Sequence, residues 1–151
     1  MAQYTQEQKV RLMALSGDVL MATLLIDRND NIGTMREFRD GIKYITNAKN
    51  KYPRNVLIQD MIIGADKSIQ EVQVYTVSER QTAVWAYQKR IDEAISILAN
   101  DEEAKEFKHV LIELAQAVAG AAGFGIFGTG EKVSIAEATF INALKQRLGV
   151  S

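Results

Sequence analysis

Hydrophobic residues recur along this chain at steps of three and four, the spacing of one face of an α-helix. From about Thr5 to Asp27, Val10, Met13, Gly17, Leu20 and Leu24 mark such a face, and Leu12, Leu15, Val19 and Ile26 add apolar positions on further sides. A helix that is apolar on several sides belongs at the centre of a bundle. A second helix is expected after Thr34, with Phe38, Ile42 and Ile45 inside, ending near Tyr52 because Pro53 cannot continue it. A short third helix covers Val56–Ile63 and stops at Gly64.

Residues 66–77 read two ways. Val72 and Val74 alternate as in a strand, whereas Ser68-Ile-Gln-Glu71 has the form of a capping box, a helix-starting pair of reciprocal side chain–backbone bonds. Helix is the preferred reading, since an isolated strand would have no partner. Ser78-Glu-Arg-Gln81 then opens a helix to about Ala99, with Trp85, Ile91, Ile95 and Leu98 expected inside. Asn100-Asp-Glu-Glu103 caps a helix to about Gly123 whose Phe107, Val110, Leu111, Leu114 and Val118 face inward. Ser134-Ile-Ala-Glu137 caps the last helix, which closes at Gly149.

These signals predict an all-α fold: a single-domain helical bundle over residues 1–151, built from two pseudo-repeated helix–loop–helix units. In the first, a long helix ends near Asp27 and Thr34-Met-Arg-Glu37 restarts the chain; in the second, a long helix ends near Gly123 and Ser134-Ile-Ala-Glu137 restarts it. Ser16, Gly17 and Ala22 in one long helix, and Ala115, Ala119 and Gly120 in the other, would let the two cross closely at the centre.

Composition narrows the functions. The 151 residues, 47% hydrophobic and 25% charged, suit one globular domain that folds without disulfide or metal staples. A formal net charge of −1 lacks the basic excess with which nucleic-acid binders neutralise phosphates. Without cysteine there is no thiolate nucleophile or Cys-ligated zinc, and a single histidine, His109, rules out multi-histidine metal sites. The opening residues MAQYTQEQK are polar, and Arg11 and Asp18 interrupt the apolar run that follows, so no signal peptide is expected and the cytoplasm is the expected compartment. The run Val110–Phe127 holds Glu113 and Gln116 amid many Ala and Gly, which fits a buried helix and not a membrane span.

Two segments invite a chemical reading. Gly123, Gly125 and Gly128 spell G-x-G-x-x-G, but a dinucleotide site needs a strand before the motif and a helix starting within it. Here a helix precedes it and the next begins only after Ser134, so a helix-ending connector with Phe124, Ile126 and Phe127 tucked inward is the simpler reading. The segment Asp27-Arg-Asn-Asp-Asn-Ile-Gly33 places Asp27, Asn29 and Asn31 at the spacing of the first EF-hand ligands. Ile32 stands where the turn glycine belongs and Phe38 where the bidentate Glu belongs, so the EF-hand fails. A looser cation site of Asp27, Asp30 and Glu37 competes with a plain turn in which Glu37 caps the helix. Hard oxygen ligands would favour calcium or magnesium. His109 lacks a carboxylate at a useful spacing, the serines lack a base, and Glu102, Glu103 and Glu106 suit a solvated first helical turn.

With the helix–acidic loop–helix pattern in view, the chain resembles the tellurite-resistance TerB-like family. The residues that carry the likeness are Leu24-Leu-Ile-Asp27-Arg-Asn-Asp30 with Glu37, then Ala115-Gln-Ala-Val-Ala-Gly-Ala-Ala, Ser134-Ile-Ala-Glu137 and Leu144-Lys-Gln-Arg-Leu-Gly149. The likeness covers both ends of the chain and not residues 53–100. It implies an all-helical fold of two such units, with carboxylates of an acidic turn in each implicated in divalent-cation binding. The second turn here departs from that pattern: it is Gly-rich and carries only Glu131 and Glu137. The resemblance implies a non-enzymatic module of stress or tellurite response that acts by binding partner proteins near the membrane and a divalent cation, without inserting into the bilayer. The competing expectation is a small-ligand-binding or enzymatic helical bundle with its pocket under the Gly-rich loop.

Overall fold

The computed structural model describes residues 3–26, 31–70, 77–121 and 135–150. Their regular structure is helical throughout: α1 (Gln6–Leu25), α2 (Asn31–Lys51), α3 (Val56–Gln59), α4 (Met61–Gln70), α5 (Val77–Ile95), α6 (Glu102–Ala121) and α7 (Ile135–Leu148). No described helix is long and apolar enough to cross a membrane.

α1 begins on a capping box. The Gln8 backbone N–H donates to Thr5 Oγ1 at 3.1 Å and the Thr5 N–H donates to Gln8 Oε1 at 2.9 Å, satisfying two donors that a helix start leaves open. Every residue from Leu15 to Leu24 is buried, as the many-sided apolar pattern requires, and the helix packs on α2, α4, α5 and α6. α6 is the second axis. Phe107, Val110, Leu111, Leu114 and Val118 face inward as expected, and α1, α2, α3 and α7 pack around the helix. All seven helices contribute to one hydrophobic cluster.

Close approach of backbones occurs between α1 and α4, where the small residues of α1 were expected to meet α6. A Cβ on Gly17 would lie 2.7 Å from the Gly64 carbonyl oxygen, and a Cβ on Gly64 would collide with the Met13 carbonyl. Ser16 Oγ donates to the Met61 carbonyl at 2.8 Å across the same contact. Gly64 therefore does not stop a helix. The chain breaks for one residue at Asp60 and runs on through Gly64, so Ser68 lies inside α4 and starts nothing. Residues 71–76, where the strand-like alternation lies, are outside the described residues.

Side-chain caps join the remaining elements. Asn55 accepts from the Ile58 N–H at 3.1 Å to cap α3, and its Nδ2 donates to the Glu103 carbonyl at 2.9 Å and to Glu106 Oε1 at 3.0 Å. Glu103 Oε2 accepts from the Val56 N–H at 3.2 Å, so Glu103 and Glu106 fasten α3 to α6 instead of forming a solvated turn; Asp101 caps α6 by accepting from the Ala104 N–H at 2.9 Å. Gln59 Nε2 donates to the Lys49 and Tyr52 carbonyls, both at 2.9 Å, closing the end of α2 before Pro53. Trp85 is 79% exposed and not inside; the buried face of α5 runs through Tyr87, Ile91 and Ala94. At the C-terminus Gly149 takes φ +68°, the left-handed cap that favours glycine.

Candidate functional site

Helix α2 presents one buried face: Glu37, Phe38, Gly41, Ile45 and Ala48. Gly41 sets how closely this face approaches its neighbours. A Cβ there would lie 2.6 Å from Leu20 Cδ1 of α1 and 3.0 Å from Val118 Cγ2 of α6. One turn before Gly41 on the same face stands Glu37, 0% exposed, with both carboxylate oxygens closed off from solvent. At the other end of the chain Glu137 heads the buried stripe of α7, followed by Phe140, Ile141, Leu144 and Leu148. It is 2% exposed, and its Oε2 is closed off from solvent.

Glu37 was expected to cap its helix, and it does not. α2 starts at Asn31, before Thr34, so Glu37 is the seventh residue of the helix and beyond its first turn. Glu137 does lie in the first turn of α7, which begins immediately after Ser134. Both carboxylates follow from helical phase: two steps of four back from Ile45, through Gly41, reach Glu37, and steps of four and three back from Leu144, through Phe140, reach Glu137. That signal was present in the sequence, hidden because a Glu three residues after Ser or Thr reads as a capping partner.

Taking an ionised carboxylate out of water costs several kcal/mol even after the surroundings relax, on the order of magnitude found for buried ions. For Glu137, the open N–H groups and positive end of α7 offset part of that cost. Glu37, the seventh residue of α2, lies beyond that first-turn effect. As a hard oxygen donor directly behind an acidic turn, it has the chemistry that calcium and magnesium take. The expected triad is described only at Glu37. Asp27 and Asp30, with Asn29, lie outside the described residues, and Asn31 is the first residue of α2. Among the described residues no three His, Cys, Asp or Glu side chains cluster so as to hold a metal. Cation binding at Glu37 therefore requires the turn residues.

The other chemistry-bearing groups are structural. Ser16 and Thr23 are buried and donate to main-chain carbonyls, Thr23 to Val19 at 2.7 Å. His109 is exposed on α6. Tyr44 ties α2 to α6 by a hydrogen bond with Glu113; burial, and then the Glu113 charge, push its hydroxyl well above the ordinary tyrosine range. Asp18, largely buried on α1, accepts from Arg90 Nη2 of α5 at 3.1 Å, and the Arg90 guanidinium stacks 4.6 Å from the Tyr87 ring centre. Sequence reading missed that pair because the two residues stand far apart in the chain. Gly123, Gly125 and Gly128, with Phe124 and Phe127, lie outside the described residues. No protein-family model, curated protein or solved structure matches the chain.

Proposed function

We propose that this chain is a non-enzymatic binding module of a stress or tellurite response, holding a divalent cation at its first acidic turn and engaging partner proteins. The observation that carries the reading is the fully buried carboxylate of Glu37, on the helix directly behind Asp27 and Asp30. In this reading the α1–turn–α2 and α6–segment–α7 pairs are pseudo-repeats, each with a buried glutamate early in its second helix, and only the first keeps the acidic turn. Asp27, Asp30 and Glu37 supply the oxygen ligands for calcium or magnesium. The non-enzymatic assignment is supported by Ser16 and Thr23, whose hydroxyls are committed to backbone carbonyls, and by the isolation of His109.

Thermal unfolding with added calcium or magnesium tests it, on the wild type and on the Asp27→Asn, Asp30→Asn double variant. A cation at ten times its Kd adds about 1.4 kcal/mol to the folded state, or roughly 3 to 6 °C for a chain of this size. The wild type should gain that shift and the double variant should not. An unchanged wild type, or equal stabilisation of both, would overturn the cation site.

A further inference from the structure

The seam where α1 meets α3 and α4 is open to solvent. A groove of about 590 Å³ runs between Lys9 and Met13 on one side and Val56, Leu57 and Asp60 on the other. A second, of about 440 Å³, runs between Val10 and Met13 and the Ile63, Gly64 and Lys67 side. Met13 lines both. Of the large hydrophobic residues exposed among those described, Val10, Val56 and Ile63 lie on this seam, while Trp85 and Ile135 line neither groove.

We propose that this seam docks one amphipathic α-helix of a partner protein, carrying a Lys or Arg and, about two turns away, an Asp or Glu beside its apolar stripe. Along α3 and α4, Val56, Asp60, Ile63 and Lys67 follow each other at steps of four, three and four, so one edge alternates apolar, acidic, apolar and basic. Asp60, just before the start of α4, and Lys67 stand seven residues apart, about two helical turns. The ends of the seam carry opposite charge. Around the first groove Lys9 offsets one of Asp60 and Glu103, leaving a negative end. Around the second, Asp18 and Arg90 neutralise each other as an ion pair, and Lys67 leaves a positive end. An acyl chain, apolar with at most one charged head, cannot match both ends; a helix with opposite charges two turns apart matches both while its apolar stripe covers Val10, Met13 and Ile63. The proposal names the surface by which a binding module engages a partner, and it is independent of any cation at Glu37.

The test is selection of peptides from a displayed library of helix-forming sequences on the full chain, with a chelator present so that loss of the cation site cannot affect the result. Enriched peptides are expected to be amphipathic, with a basic and an acidic residue seven positions apart. They should bind about tenfold more weakly to Ile63→Asp and to the Asp60→Lys, Lys67→Asp double variant. Ile63→Asp should melt with the wild type, since that side chain is exposed, while the double variant reverses a favourable charge at each end of α4 and should melt slightly lower yet stay folded at the assay temperature. Failure to enrich any peptide, or equal binding to wild type and variants, overturns the proposal. So does a dimer in sedimentation velocity that Ile63→Asp dissolves, which would assign the seam to a second copy of the chain.

Discussion

Glu37 and Glu137 are both buried carboxylates on helices that follow long, small-residue-rich ones, yet they stand at different depths in those helices. Glu137 heads the buried stripe of α7, and Glu37 lies on the buried face of α2 with Phe38, Gly41 and Ile45. Glu137 is three residues into α7, close to that helix's open N–H groups, and its burial has a local electrostatic explanation. Glu37 is the seventh residue of α2, beyond the first turn in which a helix N-terminus favours a carboxylate. In sequence, the aspartates Asp27 and Asp30 shortly precede Glu37, while no aspartate lies between α6 and Glu137. Two carboxylates of similar burial thus stand in different electrostatic settings, and position within the helix tells them apart.

The largest expected effects concern the packing the two pairs share. Phe38→Ala and Phe140→Ala each empty a buried site beside the respective glutamate and should each cost about 3–5 kcal/mol in denaturant unfolding. A cost below about 1 kcal/mol at either site would mean that the two stripes are not packed alike. Gly41→Ala comes next. Its new Cβ would press on the side-chain ends of Leu20 and Val118, which must shift within a packed core at about 1–3 kcal/mol, offset in part by the roughly 0.5–1 kcal/mol that Ala gains over Gly in a helix. If that variant is as stable as the wild type, the placement of Glu37 is not set by this contact. The smallest effect belongs to Trp85→Ala, which should change stability by less than about 0.5 kcal/mol because the ring is solvent-exposed. A larger loss would return Trp85 to the core that the sequence pattern first suggested.

Helix identity was legible because starts and stops are local. Thr5, Asn100-Asp101, Pro53 and Gly149 act through hydrogen bonds and dihedrals within a few residues, and they mark the chain where the helices begin and end. The misreadings share one cause, a local signal overridden by a tertiary contact. Gly64 has the form of a helix stop but serves as the site where α4 touches Met13 and Gly17. Thr34-x-x-Glu37 has the form of a cap, but the helix already runs from Asn31 and the glutamate turns inward with Gly41 and Ile45. Trp85 fits an apolar pattern, yet the face of α5 that turns inward is that of Tyr87, Ile91 and Ala94. For the candidate site, residue identity was legible and burial was not, because Glu is ordinarily a surface residue and only the phase of its neighbours places it inside.

We propose that Glu37 and Glu137 differ in function despite their matching burial. This difference is tested most directly by calcium titration of Glu37→Gln and Glu137→Gln side by side, followed by thermal unfolding and by calorimetry. Glu37→Gln should abolish the calcium-dependent rise in melting temperature and the binding heat. Glu137→Gln should lose roughly 0.3–1 kcal/mol of intrinsic stability, the usual worth of a first-turn carboxylate, and keep the full calcium response. Calcium binding that survives Glu37→Gln, or that Glu137→Gln removes to the same extent, would contradict the account.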